Sequence, residues 1–191
     1  MLFRSVANTL RCKIPHKKTF FAVLTDERNA RSFSASEREI IRKHVPWTRI
    51  VRDERTQRYG HSVSLLPYIR KHRKSFVLKP SDEYGGAGVV LGWEVSAGQW
   101  EDAIQAAVRD TGKVWITQEK IAVRREMFPQ VVPGEGVQMK EMLVDFSPYF
   151  FRGKLSGFLT RLSATGLANV TSGGGQVPAF VVGKSAGRLI A

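Results

Sequence analysis

Lys79, Asp82 and Glu83 stand close together in the chain, followed at once by Tyr84 and three glycines, Gly85, Gly86 and Gly88. A cation, two carboxylates and a bend without side chains form a set suited to phosphate. Glycine lets backbone N–H groups approach an anion where a Cβ would clash. A lysine beside them adds a point charge. A nearby carboxylate can hold the Mg²⁺ that travels with a nucleoside triphosphate. The same glycines would also serve a plain surface hairpin with a tight turn.

The flanking residues say how such a set is positioned. Phe76, Val77 and Leu78 form an apolar run that reads as a short buried strand, with Lys79 at its end. Pro80 stops the strand by removing a ladder donor. Val89 to Leu91 resumes the sheet, so the glycines are expected at the tip of a hairpin.

The chain has 191 residues, 42% of them hydrophobic and 10% aromatic, which is enough to bury a core. No apolar run approaches the roughly 20 residues of a membrane span, so no membrane partner is expected. The single cysteine, Cys12, excludes an internal disulfide framework, and a reducing, cytoplasmic setting is expected. The net charge is +13, and residues 1–25 contain only one class of charge, lysine and arginine. Such a balance favours polyanions. No helix-turn-helix, zinc-finger or RNA-binding signature is present, so a basic nucleic-acid binder is the alternative rather than the expectation. Met1 to Pro15, basic and rich in small polar residues, has the composition of a mitochondrial transit segment as well as of a folded strand or helix.

Further along, Ser34 with Glu37 and Ser96 with Gln99 have the spacing of capping boxes. The first predicts a helix ending before Pro46, with Ile40, Ile41 and Val45 as its apolar stripe. The second predicts a helix over Ala97–Arg109 that buries Trp100, Ile104 and Val108 and is closed by Gly112. Trp47 reads as core, Arg52 to Gly60 as a loop, and Val63 to His72 as a short helix burying Leu65, Leu66 and Ile69. Val114 to Thr117 reads as a strand that delivers Gln118 and Glu119 at its exit. Val123 to Gly136 reads as a connection. Val137 to Phe146 and Leu155 to Leu162 read as a hairpin turning at Arg152-Gly153-Lys154 and packing on a helix. Arg161 lies among apolar neighbours, so its guanidinium requires an anionic partner or an exit to water.

Four segments resemble the ATP-grasp superfamily: LKPSDEYGGAGVVLGWE (78–94), VWITQEKI (114–121), VDFSPYFF (144–151) and GFLTRLS with NVTSGGGQVP (157–178). NTLRCKIPHKK (8–18) and FSASEREIIRKHVPWTR (33–49) fit the same pattern. The likeness is to circularly permuted type 2 members, relatives of glutathionylspermidine synthase and glutathione synthetase. It implies an α+β fold of antiparallel sheets with flanking helices. Those members are longer, so the chain is expected to be their C-terminal portion, an N-terminally incomplete copy. Residues 1–74 would be a basic segment with lid-like helices, and residues 75–191 a nucleotide-binding core.

The resemblance further implies ATP and Mg²⁺ as cofactors and a small carboxylate and amine as substrates, joined through an acylphosphate. Lys79 and Arg161 would be catalytic. Lys18, or Lys17 in its place, would reach the phosphates with Lys79 and Gly85, Gly86 and Gly88. Gln118, Glu119 and the backbone near Ile121 would hold adenine. Metal ligation would fall on Asp82, Glu83, Asp145 and Asn169. Two departures weaken the pattern: Ala87 stands where many relatives have a basic residue, and Leu167 where many have a glutamate. A chain that binds nucleotide without turnover is therefore the second alternative.

Overall fold

The two capping boxes read from the sequence both form. The Ser34 backbone N–H donates to Glu37 Oε2 at 2.8 Å while Glu37 N–H donates to Ser34 Oγ at 3.3 Å. Ser96 and Gln99 exchange the same pair of bonds at 2.9 and 3.2 Å. Each box satisfies orphan donors that a helix start would otherwise leave open.

The computed structural model describes residues 9–168 and 174–181. In chain order the helices are α1 (Lys13–His16), α2 (Thr19–Thr25), α3 (Ala35–His44), α4 (Leu65–Lys71) and α5 (Ala97–Arg109). The strands are β1 (Thr48–Ile50), β2 (Arg55–Arg58), β3 (His61–Ser64), β4 (Phe76–Pro80), β5 (Val90–Leu91), β6 (Trp115–Glu119), β7 (Arg125–Val132), β8 (Gly136–Phe151), β9 (Lys154–Ser163) and β10 (Gly175–Val177). Every strand pair is antiparallel. The protein is thus α+β, with antiparallel sheets and flanking helices.

The chain divides into two compact units between Ile121 and Ala122. The division expected at 74/75 falls inside the first unit, because β1 lies on one side of it and pairs with β6 on the other.

The first unit is built on a sheet of order β1-β6-β4-β5. Side chains alternate across a strand. Phe76 and Leu78 therefore share one face, with Trp47 from the segment before β1. Against that face pack Leu65, Leu66 and Ile69 of α4 and Trp100, Ile104 and Ala107 of α5. A fully buried Leu, Ile or Phe contributes about 1.5–3 kcal/mol, so this layer is the main source of stability. Trp100 also donates its indole N–H to the Ile69 carbonyl at 3.0 Å, fixing α5 on α4. Val108, expected in this core, is 41% exposed, and Ala107 takes its place. From Trp100 the inward stripe steps to 104 and 107 rather than to 108. At the edge of the same layer Gly92 is enclosed. A Cβ there would stand 2.1 Å from the Arg73 carbonyl oxygen and 2.8 Å from that of Phe76.

The other face carries Thr48, Val77, Lys79, Ile116 and Gln118, set there by the pairings Val77↔Gln118, Lys79↔Ile116 and Thr48↔Gln118. Helix α2 runs against β1 and β6. The helix α3 stripe packs only in part: Ile41 and Val45 are half-buried, Ile40 is exposed, and no residue of α3 is fully buried.

Two stretches read as irregular are strands. Arg55–Arg58, within the expected loop, pairs with His61–Ser64 across a two-residue turn, Tyr59 (φ 50°) and Gly60 (φ 82°). Two positive φ values define the hairpin turn that matches strand twist. The hairpin hangs from the core, since Trp47 donates its indole N–H to the Gln57 carbonyl at 3.0 Å.

The second unit is a meander of order β10-β9-β8-β7. Here β7 replaces the expected connection. Its Pro129 is tolerated because β7 is an edge strand. Strand β8 runs unbroken to Phe151, with a register shift at Tyr149/Phe150. The described residues of this unit contain no helix, so the hairpin does not pack on one there. Phe146, Tyr149, Phe150, Phe151 and Leu155 are exposed, while Phe146 and Phe158 stack on each other at 4.1 Å.

No helix among the described residues is long and apolar enough to cross a membrane.

Candidate functional site

Lys79 is delivered by a strand whose first three residues are buried, which leaves its stem half-buried and its ammonium along the sheet. Nζ donates to Gln118 Oε1 at 2.9 Å. Gln118 Nε2 in turn donates to Thr48 Oγ1 at 3.0 Å, and that hydroxyl donates to the Pro46 carbonyl at 2.8 Å. Three strands thus hold the ammonium through neutral groups. Among the described residues no carboxylate pairs with it. Burial holds its pKa below the ordinary lysine value, and the neighbouring Lys18 ammonium pushes it the same way.

Lys18 comes to this place from far away in sequence. Its backbone N–H donates to the Ser81 carbonyl at 3.0 Å, and Thr19 N–H to Ser81 Oγ at 3.2 Å. Those two bonds strap the start of α2 to the turn after β4. The Lys18 ammonium then donates to the Glu83 backbone carbonyl. Burial lowers its pKa, opposed by the charges of Asp82 and Glu83.

The two carboxylates of the loop are already partnered. Asp82 accepts from Lys13 at 3.0 Å and from Lys17 at 2.8 Å, and His16 Nδ1 lies 3.6 Å away. The bonds from Lys17 and Lys13 hold its pKa down to about 2. Glu83 pairs with Lys113 at 2.6 Å, and that bond raises the Lys113 pKa. Between them lies a cavity of about 220 Å³ lined by Lys17, Thr19, Ser81, Asp82, Glu83 and Lys113, among others. It is smaller than the roughly 300–1,000 Å³ of a typical small-molecule site. Its lining does not include Lys18, Lys79 or the Gly85–Gly88 bend.

The glycines bend the chain as the sequence suggests: Gly85, Gly86 and Gly88 all have positive φ, of 68°, 83° and 70°. At Gly88 a Cβ would also stand 2.7 Å from Pro80 Cγ, so the bend lies directly on the residue that ends β4.

Glu119 lies on the opposite face of the sheet from Lys79 and Gln118, since its register partner is Phe76. Arg58 donates to its Oε1, and the Tyr59 hydroxyl donates to Oε2 at 2.6 Å. The Arg58 guanidinium lies 5.0–5.4 Å from the ring centroids of Trp47, Tyr59, Tyr68 and Phe76. Each such contact is worth about 0.5–2 kcal/mol, so this arginine is firmly fixed. Ile121, just beyond β6, is exposed.

In the second unit Arg161 has found its anion. Its Nε donates to Asp145 Oδ2 at 2.7 Å across the Asp145↔Arg161 register pair. Asn169 lies outside the described residues.

The structure therefore brings together Lys17, Lys18, Asp82 and Glu83, sets Lys79 beside Lys18, and pairs Arg161 with Asp145 in the other unit. Among the described residues no group of three or more His, Cys, Asp or Glu is placed to hold a metal ion. Sequence inspection missed Lys13, Lys113, Arg58 and Tyr59. Only the last had a signal, as the first residue of a Tyr-Gly pair between two short polar runs.

The class these observations define is an α+β protein with a cluster of lysines and carboxylates beside a four-stranded antiparallel sheet. Comparison with protein-family models, with curated proteins and with solved structures finds no match to the chain.

Proposed function

We propose that the chain binds the phosphates of ATP at Lys79, Lys18 and the Gly85–Gly88 bend, and that it serves ATP-dependent carboxylate–amine ligation as part of a larger ligase. The observation that carries the first half is the Lys79 ammonium. It is half-buried, bonded to a neutral amide, and has a second ammonium beside it. Such an arrangement gains from an anion, because the Lys79 charge meets no carboxylate among the described residues.

The second half rests on the segments that resemble ATP-grasp proteins. In that chemistry a substrate carboxylate oxygen attacks the γ-phosphorus, ADP leaves, and an acylphosphate forms. An amine then attacks the acyl carbon and expels inorganic phosphate. No nucleophilic side chain is needed, since positioning and charge stabilisation supply the rate. Lys79 and Lys18 would neutralise phosphate oxygens.

The residues present do not fit a resident Mg²⁺ in this arrangement. Asp82 and Glu83 are each held by lysines, and Asp145 by Arg161. A magnesium ion is expected only as the companion of the nucleotide, and no step is assigned to it. That same pairing favours the second reading, a nucleotide-binding chain without turnover. A cytoplasmic setting belongs to both.

Titration calorimetry with Mg-ATP tests the binding. Saturable heat that is lost in Lys79→Met supports it, and no heat with the wild-type chain overturns it. ATP turnover over a panel of amino-acid and peptide carboxylates with amines separates ligase from non-catalytic binder. Binding to RNA or DNA without any nucleotide binding would favour the basic nucleic-acid binder instead.

A further inference from the structure

Strands β8 and β9 end in a tight hairpin whose tip is bare. Every residue from 148 to 156 is exposed. The turn residues Arg152 and Gly153 have φ of 49° and 75°, the positive pair that closes a two-residue hairpin. Phe150 pairs with Leu155, and Phe151 with Lys154. Side chains alternate along a strand. Phe150 and Leu155 therefore share one face, and Tyr149 and Phe151 lie on the other. All four are 52–62% exposed. A sheet that packs on a protein partner hides one apolar face and keeps a polar one. This tip is apolar on both.

The charge around the tip has one sign. No acidic residue follows Asp145 in the sequence, and Asp145 is held by Arg161. Arg152 and Lys154 stand at the tip with no carboxylate partner among the described residues. Aromatic rings settle at the headgroup level of a bilayer, and a lysine or arginine near the surface is drawn to anionic lipid. From Tyr149 to the turn the ribbon spans about 10 Å, comparable to the roughly 5–10 Å depth of an interfacial segment. The long stems of Arg152 and Lys154 can lie among the rings while their charged ends turn back to lipid phosphates.

We propose that the β8–β9 tip is a membrane-contact site, which seats Tyr149, Phe150, Phe151 and Leu155 in the surface of an anionic bilayer. The sequence expectation of no membrane partner rested on the lack of a span, and contact at the surface needs none. A single strand of nucleic acid fits less well, since it would stack on one face of the ribbon and Leu155 offers it no ring. The site is independent of the nucleotide reading.

The test is co-sedimentation of the full chain with vesicles. Phosphatidylcholine vesicles are compared with vesicles in which about one-fifth of the lipid is phosphatidylserine. Wild type should bind the anionic vesicles at least about 10-fold more tightly than the neutral ones. Phe150→Ser with Phe151→Ser leaves the net charge unchanged and should weaken that binding at least about 10-fold. Arg152→Gln with Lys154→Gln should weaken it about 5-fold per cation, on anionic vesicles only. Phe151→Trp should be quenched by brominated lipid beyond the quenching of wild type. Binding that survives the double-serine variant would belong to the overall charge of the chain and overturns the proposal. Absence of vesicle binding by wild type, or no added quenching at position 151, does the same. Self-association or polyuridine binding that is lost in the double-serine variant, without vesicle binding, assigns the tip to a second copy or to RNA and overturns it too. The substituted positions are exposed, so the variants are expected to fold, and unchanged melting curves serve as the control.

Discussion

The Lys79 ammonium donates to the side-chain carbonyl of Gln118, a neutral partner on the neighbouring strand, at 2.9 Å. Burial and the adjacent Lys18 both lower its pKa from the ordinary 10.5. For a lysine with a depressed folded pKa, the unfolded chain binds more protons between the folded value and 10.5. Its penalty is therefore complete below the folded pKa and is relieved as pH rises through that window. Lys79→Met should abolish the alkaline gain and be more stable than wild type at neutral pH, as read from urea melts at a series of pH values. The same variant should weaken Mg-ATP binding by at least about 10-fold, since a hydrogen bond to a charged group is worth about 1.5–3 kcal/mol. Equal stability curves for the two proteins would refute the account of Lys79.

Asp82 ties the segment of α1 to the turn after β4 through Lys13 and Lys17. Its pKa is lowered from 3.8 to about 2. A depressed carboxylate contributes stability that is present above its unfolded pKa and is lost as pH falls through the folded one. Asp82→Asn should therefore remove an acid-sensitive contribution between about pH 4 and 2. It should also speed tryptic cleavage at Lys13 and Lys17. Molar salt should act on wild type in the same direction, because the pairs are exposed and the screening length falls to about 3 Å.

Arg49 is buried, yet it donates to Thr56 Oγ1, to the carbonyls of Thr25, Thr48 and Gln57, and to Glu27 Oε2. Arg49→Met would strand those acceptors around an apolar tail. The expected loss is about 3–5 kcal/mol, measured by urea denaturation. A loss below about 1 kcal/mol would mean that the carbonyls find other partners.

Two glycines should respond in opposite senses to alanine. At Gly92 the new Cβ would meet backbone oxygens of Arg73 and Phe76 that cannot retreat without disturbing the turn before β4. A loss of about 3 kcal/mol or more is expected. At Gly98, in the first turn of α5, the nearest atom is Ser96 Oγ at 4.0 Å. Gly98→Ala should stabilise by about 0.5 kcal/mol. Paired thermal melts check both signs.

What could be read from the chain beforehand was the part fixed by near neighbours. Ser34 with Glu37 and Ser96 with Gln99 mark helix starts by local bonding alone. Leu65, Leu66 and Ile69 also fell where their spacing put them. Strand β2 was missed because Arg-Thr-Gln-Arg has no apolar alternation. It is a strand because its hairpin turn and the Trp47 and Arg49 bonds make it one. Strand β7 was missed because Pro129 argues against a strand unless the edge position is known. Around the turn after β4, the glycine bend and the strand position of Lys79 were legible, whereas the Lys13, Lys17 and Lys113 pairings are long-range and leave no mark on local sequence. Arg58 on Glu119 spans 61 residues and was equally silent.

Thr48 does not bond Lys79, yet it sets the amide orientation that Lys79 meets, because its hydroxyl receives Gln118 Nε2. Exchange of Thr48 for valine would remove the acceptor that anchors Gln118 Nε2 and loosen the amide whose oxygen Lys79 meets. A screen of Lys79 reactivity would then score position 48 although its side chain never meets the ammonium, and a map drawn from such a screen would extend one strand too far.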